Sequence, residues 1–557
     1  MNRPDPQALT IDAMISNIDK GLTKIPQFQR EFVWSREKSA KLIDSLVKGY
    51  PIGTFIIWQT KETLRSVREV GHLKLPQTPE GQFTQYVLDG QQRMTSVYAC
   101  IKGATLHREV KVIDYKDIWV DLEADGESEI VCINGVEDGS IRYVRVRDLF
   151  EGSFTLISKY PANLHPKMQM YRDQLKGFLF SSILIKEVGI EVATDIFTRI
   201  NTTGKDLTLF DIMVAKTFSE KSKFDLLEKY EDLQKELVSV QFGTLPPLII
   251  LQVVSSILRK DCSTKTILSL PRTEFIATWP QAISALKSAV DYLRLQIRVP
   301  ASELLPFNPA VVIIAYFFHL NVHAPTGQVQ KLLNDLFWRI SLGGRYSGSV
   351  ETKMAQDLRR VDKIYAGEHP DYDWPVENTY DFISENGYFS ASRSYIKGLL
   401  CILVAQRPLS FDTNSDVSVR NDWLKRANSK NYHHFFPKGY LNKKEYNPYA
   451  NHIANITIVD DRLNKAKIGS KRPSIYLKEF SGHNPDLGRT LLKHHLIDYG
   501  KDNLSTDDYE TFYRNRIARI QKEISKRIIA QPVDSRKQAP VMDEEDAETE
   551  LMSPTEE

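Results

Sequence analysis

The chain has 557 residues and a formal charge of +2, from 73 basic and 71 acidic side chains, with 42% hydrophobic and 26% charged residues. Single cores stop growing near ~250–300 residues, so this length requires two to four domains, and the composition excludes a collagen-like, a wholly disordered or a small disulfide-stapled chain. The near-zero charge hides an asymmetry: residues 531–557 carry nine acids against Arg536 and Lys537, a net of −7, which leaves +9 on residues 1–530.

At the N-terminus, MNRPDP has no apolar core of signal-peptide length. Ser35 is a predicted N-cap, and Ala40, Ile43, Leu46 and Val47 share one helical face before Gly49-Tyr50-Pro51 breaks the pattern. Thr54-Phe55-Ile56-Ile57-Trp58 reads as a strand; Gln85-Tyr86-Val87-Leu88 is a second, ending at Asp89-Gly90, with a helix from Met94. A strand that stops at a polar turn and opens a helix is where α/β folds place ligands, so residues 1–220 are expected to be α/β. Asp89-Gly90-Gln91-Gln92-Arg93 offers a carboxylate, a close-approach glycine, two amides and a guanidinium for phosphate. Arg199-Ile200-Asn201-Thr202-Thr203-Gly204-Lys205 adds hydroxyls and backbone donors. There is no Gly-x-x-x-x-Gly-Lys-Ser/Thr loop, which excludes a P-loop nucleotidase.

Residues 221–410 turn to long helical periodicities over 226–238, 247–258, 279–295 and 329–340, expected to form a helical domain that connects and spaces two modules. The most apolar run, 310–320, is about half of the ~20 residues a bilayer span needs and reads as a buried helix. Cys100, Cys132, Cys262 and Cys401 form no Cys-x-x-Cys pair. Isolated cysteines of this kind suit a reducing cytosol, and the expectation is a cytoplasmic protein with no membrane partner.

Residues 411–530 differ again. Between Arg420 and Phe480, 13 basic and five acidic residues give a net of +8 over 61 positions, interleaved with Tyr432, Phe435, Phe436, Tyr440, Tyr446 and Tyr449. Such a stretch suits a phosphate backbone, because each neutralised phosphate releases a counterion. Within it stand Tyr432-His433-His434-Phe435-Phe436-Pro437-Lys438, then Asn451-His452-Ile453-Ala454-Asn455-Ile456, then Arg462-Leu463-Asn464-Lys465-Ala466-Lys467. Adjacent histidines on a strand point to opposite faces, so one imidazole can ligate a metal while its neighbour takes a proton from water. Residues 531–557, with three prolines and few large apolar side chains, are expected to be a disordered acidic tail.

The C-terminal block resembles the HNH, or ββα-metal, nuclease core in the variant that ends the GmrSD-like modification-dependent restriction enzymes. The resemblance implies His433 as a metal ligand, His434 as the general base, Asn455 as the residue that holds the loop, and Asn464 as the second metal ligand. It implies Lys438, Lys465, Lys467, Lys471 and Arg472 as contacts to the DNA backbone. This sequence departs from the commonest pattern in having His433 where an aspartate is usual. A site with one or two protein ligands suits Mg²⁺ or Mn²⁺ better than Zn²⁺.

Upstream, Ile25-Pro26-Gln27-Phe28-Gln29-Arg30, Tyr50-Pro51-Ile52-Gly53, the Asp-Gly-Gln-Gln-Arg string and Asn201-Thr202-Thr203-Gly204, in this order, resemble the N-terminal domain of the same family, which is ParB/sulfiredoxin-like. That resemblance implies binding and hydrolysis of a nucleoside triphosphate (GTP, UTP or ATP), with Asp89 and Arg93 catalytic and Gln91, Gln92, Arg30 and Asn201 around the nucleotide. Similarity to the phosphorothioate-sensing SspE proteins implies contacts from Pro26, Phe28 and Gln29 to modified DNA. The whole is expected to be a multidomain α+β protein that cuts modified phage or foreign DNA under nucleotide control, and that dimerises if it breaks both strands. Two other readings compete with it. In one, the chain is a nucleotide-binding, DNA-associated regulator whose HNH block is inactive; in the other, the N-terminal half itself nicks DNA.

Overall fold

The computed structural model describes residues 5–26, 32, 34–62, 64, 66, 69–70, 73–108, 111–124, 128–133, 140–200, 208–219, 221–421, 424, 432–442, 449–459 and 468–538. The chain forms two compact units, Met1–Leu226 and Leu227–Glu557.

The first unit is built on strands β1 (Asp5–Thr10), β2 (Thr23–Lys24), β3 (Phe55–Thr60), β4 (Thr84–Asp89) and β5 (Leu179–Lys186). Its helices include α1 (Ile11–Asp19), α2 (Arg36–Val47), α3 (Gln91–Lys102) and α4 (His165–Gly177). The strand order is β1-β5-β3-β4-β2. It is a mixed sheet: β1 runs antiparallel to β5, β5 parallel to β3, β3 antiparallel to β4, and β2 parallel to β4. Ser35 caps α2 by accepting a hydrogen bond from Lys38 N at 3.3 Å. Burial of Ala40, Ile43, Leu46 and Val47 on α2 and of Met94, Val97 and Ile101 on α3 seats both helices in one core with Phe55 and Val87.

The helices of the second unit include α5 (Pro247–Arg259), α6 (Arg272–Tyr292), α7 (Pro309–Leu320), α8 (Gly327–Leu342), α9 (Val350–Tyr365) and α10 (Ser394–Ala405). Helix α7 is the apolar run, buried from Ala310 to Phe318. No helix among the described residues is long and apolar enough to cross a membrane. The chain then makes two short antiparallel strands, β6 (Tyr432–His434) and β7 (Ile456–Ile458), followed by α11 (Pro473–Ser481), α12 (Leu487–His495) and α13 (Tyr509–Ser525).

Two expectations change here. Residues 221–410 are not a spacer: α10 is apolar almost all round, and it packs on β7 and α13, so the helical and histidine-bearing segments share one compact unit. Nor is the tail free from residue 531. Pro532–Ser535 forms a 3₁₀ turn, and Asp534 makes a bidentate pair with the fully buried Arg339 at 2.7 and 2.8 Å. Gln538 exchanges hydrogen bonds with Glu377, both at 3.0 Å, and donates to Leu342 O at 2.9 Å. A buried guanidinium needs anions, Asp335 alone leaves its fork half satisfied, and the first acid of the tail completes it. Residues 539–557 lie outside the described residues.

Candidate functional site

At the end of β4, Gly90 takes φ 94° as the N-cap of α3. A Cβ there would stand 2.4 Å from Phe55 Cδ1, so the turn admits glycine alone. One turn into α3, Arg93 reaches back and donates to Ile52 O at 2.7 Å, Thr54 O at 2.9 Å and the Asp89 carboxylate at 3.0 Å. Its guanidinium lies 4.8 Å from the Phe55 ring centroid. Gly53, at φ 85°, is the close-approach point: a Cβ on it would come within 2.4 Å of Arg93 Nη1. The strings around residues 53 and 90 are thus two halves of one clamp.

Asp89 and Arg93 are brought together, and three of the guanidinium donors are held by the protein itself. Gln91 and Gln92 are buried. Pro26 is buried and forms an isolated bridge with Ser66. Phe28, Gln29, Arg30 and Asn201 lie outside the described residues.

In the second unit, β6 and β7 pair in the register Tyr432 to Ile458, His433 to Thr457 and His434 to Ile456. The pair is closed at one end by Asn455, which is fully buried. Its Oδ1 accepts from Phe436 N at 2.8 Å, and its Nδ2 donates to Phe436 O and Ala450 O, both at 2.9 Å. Backbone donation from Phe435 N to Asn455 O at 2.8 Å adds a fourth tie. From α13, the buried Arg516 donates to Ala454 O at 2.8 Å, and Phe512 stacks on Phe435 at 5.1 Å.

The two histidines differ as strand alternation requires. His433 is 2% exposed, with its ring among those of Phe411, Phe435 and Tyr476 at 6.1–6.5 Å. The Thr457 hydroxyl donates to His433 O at 3.3 Å, so its oxygen accepts from His433 Nδ1 at 2.8 Å. That leaves the Nε2 lone pair buried and without a partner among the described residues. Burial, then the charges on His434, His495 and Arg516, push its pKa down to about 3. A neutral imidazole with Nδ1–H engaged and Nε2 bare is the form that ligates a metal, so the donor chemistry of His433 fits that role.

His434 is partly exposed, and its Nε2 lies 3.0 Å from Asn451 Oδ1. Desolvation brings its pKa down to about 4, helped by the Lys438 cation and opposed by the Asn451 hydrogen bond, so the ring is neutral near pH 7 and can accept a proton.

Asn464, Lys465 and Lys467 lie outside the described residues. No group of three or more His, Cys, Asp or Glu able to hold a metal occurs among the described residues. Lys471 pairs with Glu479 at 2.7 Å and Arg472 with Asp507 at 3.3 Å. The Lys471–Glu479 pair is solvent-exposed on both sides and worth about 0–1 kcal/mol, so a phosphate can displace that carboxylate, whereas Asp507 is buried and also accepts from Ser474 N and Oγ. Asn451, Thr457 and Arg516 were not singled out from the sequence. Asn451 stands in the quoted string, but its partner Phe389 is 62 positions earlier.

Residues 11–218 match the family model described as GmrSD restriction endonuclease, N-terminal domain. The chain is also similar, at 23% identity over 589 residues that cover 93% of it and 97% of the relative, to the uncharacterized protein MJ0686 of Methanocaldococcus jannaschii.

Proposed function

We propose that this chain is a DNA endonuclease of the modification-dependent restriction kind, serving defence against phage or other foreign DNA, with His434 as its general base. The observation that carries the reading is the conjunction, in one chain, of an N-terminal GmrSD match over residues 11–218 with a strand pair that holds a neutral, partly exposed His434 inside the most basic stretch of the sequence. His434 takes a proton from water, the water oxygen attacks phosphorus, and the ester oxygen leaves with the bond pair and is protonated from solvent. A divalent cation, Mg²⁺ or Mn²⁺, held by His433 Nε2 together with Asn464, would supply charge stabilisation at the scissile phosphate.

His433 is kept neutral by burial and oriented by Thr457, while Asn455 and Arg516 hold the end of the strand pair that carries both histidines. Lys438, Lys465, Lys467, Lys471 and Arg472 bind the DNA backbone, and a homodimer would supply a second cut. In the first unit, Asp89 and Arg93, with Gln91, Gln92, Arg30 and Asn201, serve a nucleoside triphosphate, and Pro26, Phe28 and Gln29 sense the modification. Because Arg93 already clamps residues 52–54, its effect on nucleotide would come partly through that loop.

Incubating plain, glucosylated-hydroxymethylated and phosphorothioated DNA with the protein, Mg²⁺ or Mn²⁺ and each NTP tests this. Cleavage confined to one modified DNA is expected; binding with no cleavage under any condition would favour the regulator reading.

A further inference from the structure

The amide of Asn451 is locked from behind. The carbonyl of Phe389 accepts from Asn451 Nδ2 at 3.0 Å, and Phe389 N donates to Asn451 O at 2.8 Å. One and two residues further along, the same two segments stay joined: Tyr388 bridges His452, and Ile453 N donates to Gly387 O at 2.8 Å. Gly387 is required there, since a Cβ would fall 2.2 Å from His452 Nε2. The Phe389 ring packs on Tyr432, two residues before His434, with centroids 4.7 Å apart.

A carbonyl oxygen can only accept, so the NH₂ end of Asn451 faces Phe389 and the oxygen faces His434. An amide oxygen also can only accept, so the proton of neutral His434 sits on Nε2, 3.0 Å from Asn451 Oδ1, and the lone pair sits on Nδ1. Among the described residues, His434 makes no hydrogen bond through Nδ1.

We infer that Asn451 is a positioning residue: held by Phe389, it fixes His434 as the Nε2–H tautomer, so that Nδ1 is the atom that takes the proton from water. The inference rests on the reading of His434 as the base. It makes the Gly387–Tyr388–Phe389 segment, which precedes α10, part of the machinery that orients the reacting ring. Without the Asn451 acceptor, the proton is free to move to Nδ1, and the ring is free to turn about its χ2.

The test uses the full-length chain with ¹⁵N-labelled imidazoles, His434 being assigned by the signal lost in His434→Gln. Asn451→Asp keeps an acceptor opposite Nε2, and Asn451→Leu removes it at similar volume. Circular dichroism checks that each variant is folded, with Asn451→Ala replacing Leu if that variant is not. The wild type should show Nε2 protonated and Nδ1 bare. Asn451→Asp should keep this pattern, and Asn451→Leu should give a mixture of tautomers. On the DNA that the wild type cuts, kcat should fall about 10- to 100-fold in Asn451→Leu with KM unchanged, and recover at least in part in Asn451→Asp. An unmixed Nε2–H tautomer in Asn451→Leu would overturn the inference, whatever the cleavage result. If instead His434→Gln still cuts while the tautomer responds as stated, the base assignment fails and the positioning of the ring stands.

Discussion

Asn455 illustrates how much of the hairpin rests on single side chains. Its amide makes three hydrogen bonds to backbone groups, all inside the core. Asn455→Ala leaves those groups buried and unpaired, so the expected loss is about 3 kcal/mol of unfolding free energy, read by urea denaturation. Gly90 has the same standing in the first unit: its φ of 94° and the 2.4 Å approach to Phe55 predict that Gly90→Ala costs about 2–3 kcal/mol and loosens the Arg93 clamp. Both glycines of the clamp were visible as motif letters. Their reason was not, since Gly53 is required by a guanidinium 40 positions later in the chain.

Elements whose causes are local were readable from the sequence. The Ser35 cap, the α2 face, the strand over Phe55 and the helix after Gly90 all follow from neighbours within a turn or two. Pairing between distant segments was not: β5 enters between β1 and β3 from more than 100 residues away, and nothing in its own alternation specifies that slot. The acidic tail is the clearest case. Its composition describes a solvated segment, and this misses that Arg339 is 0% exposed and needs Asp534. Truncation after Ala530 should therefore give a lower melting temperature than truncation after Gln538. Asp534→Ala should cost about 3 kcal/mol, because it strands part of a buried cation. Equal stability of the two truncations would show that the docked turn contributes nothing.

Across the second unit, the buried imidazoles set a pH limit. His452 donates from Nε2 to Ile383 O at 3.1 Å and accepts from Ala454 N at 3.1 Å, and His495 lies 2.7 Å from Leu409 O; burial pushes their pKa values down to about 4 and about 3 from 6.5. The folded values are depressed, so the native state holds these rings neutral while the unfolded chain protonates them below pH 6.5. Stability is present above that pH and falls as the medium is acidified toward 4, by about 2 kcal/mol per pH unit for the pair, and His433 and His434, depressed in the same direction, steepen the fall. Urea unfolding followed from pH 7.5 to 4.5 checks the slope and its sign.

The same region concentrates positive charge, +8 over residues 420–480, inside a chain whose total is +2. Patterning of that kind favours a polyanion, and the strand pair supplies a base within it. The rate of cleavage of modified DNA by His434→Ala, set beside the wild type at equal protein and metal, tests this account most directly. A fall of about 100-fold or more with DNA affinity retained is the result predicted. Cleavage at the wild-type rate, with the loss appearing in Asp89→Ala instead, would contradict it and move the chemistry to the N-terminal unit.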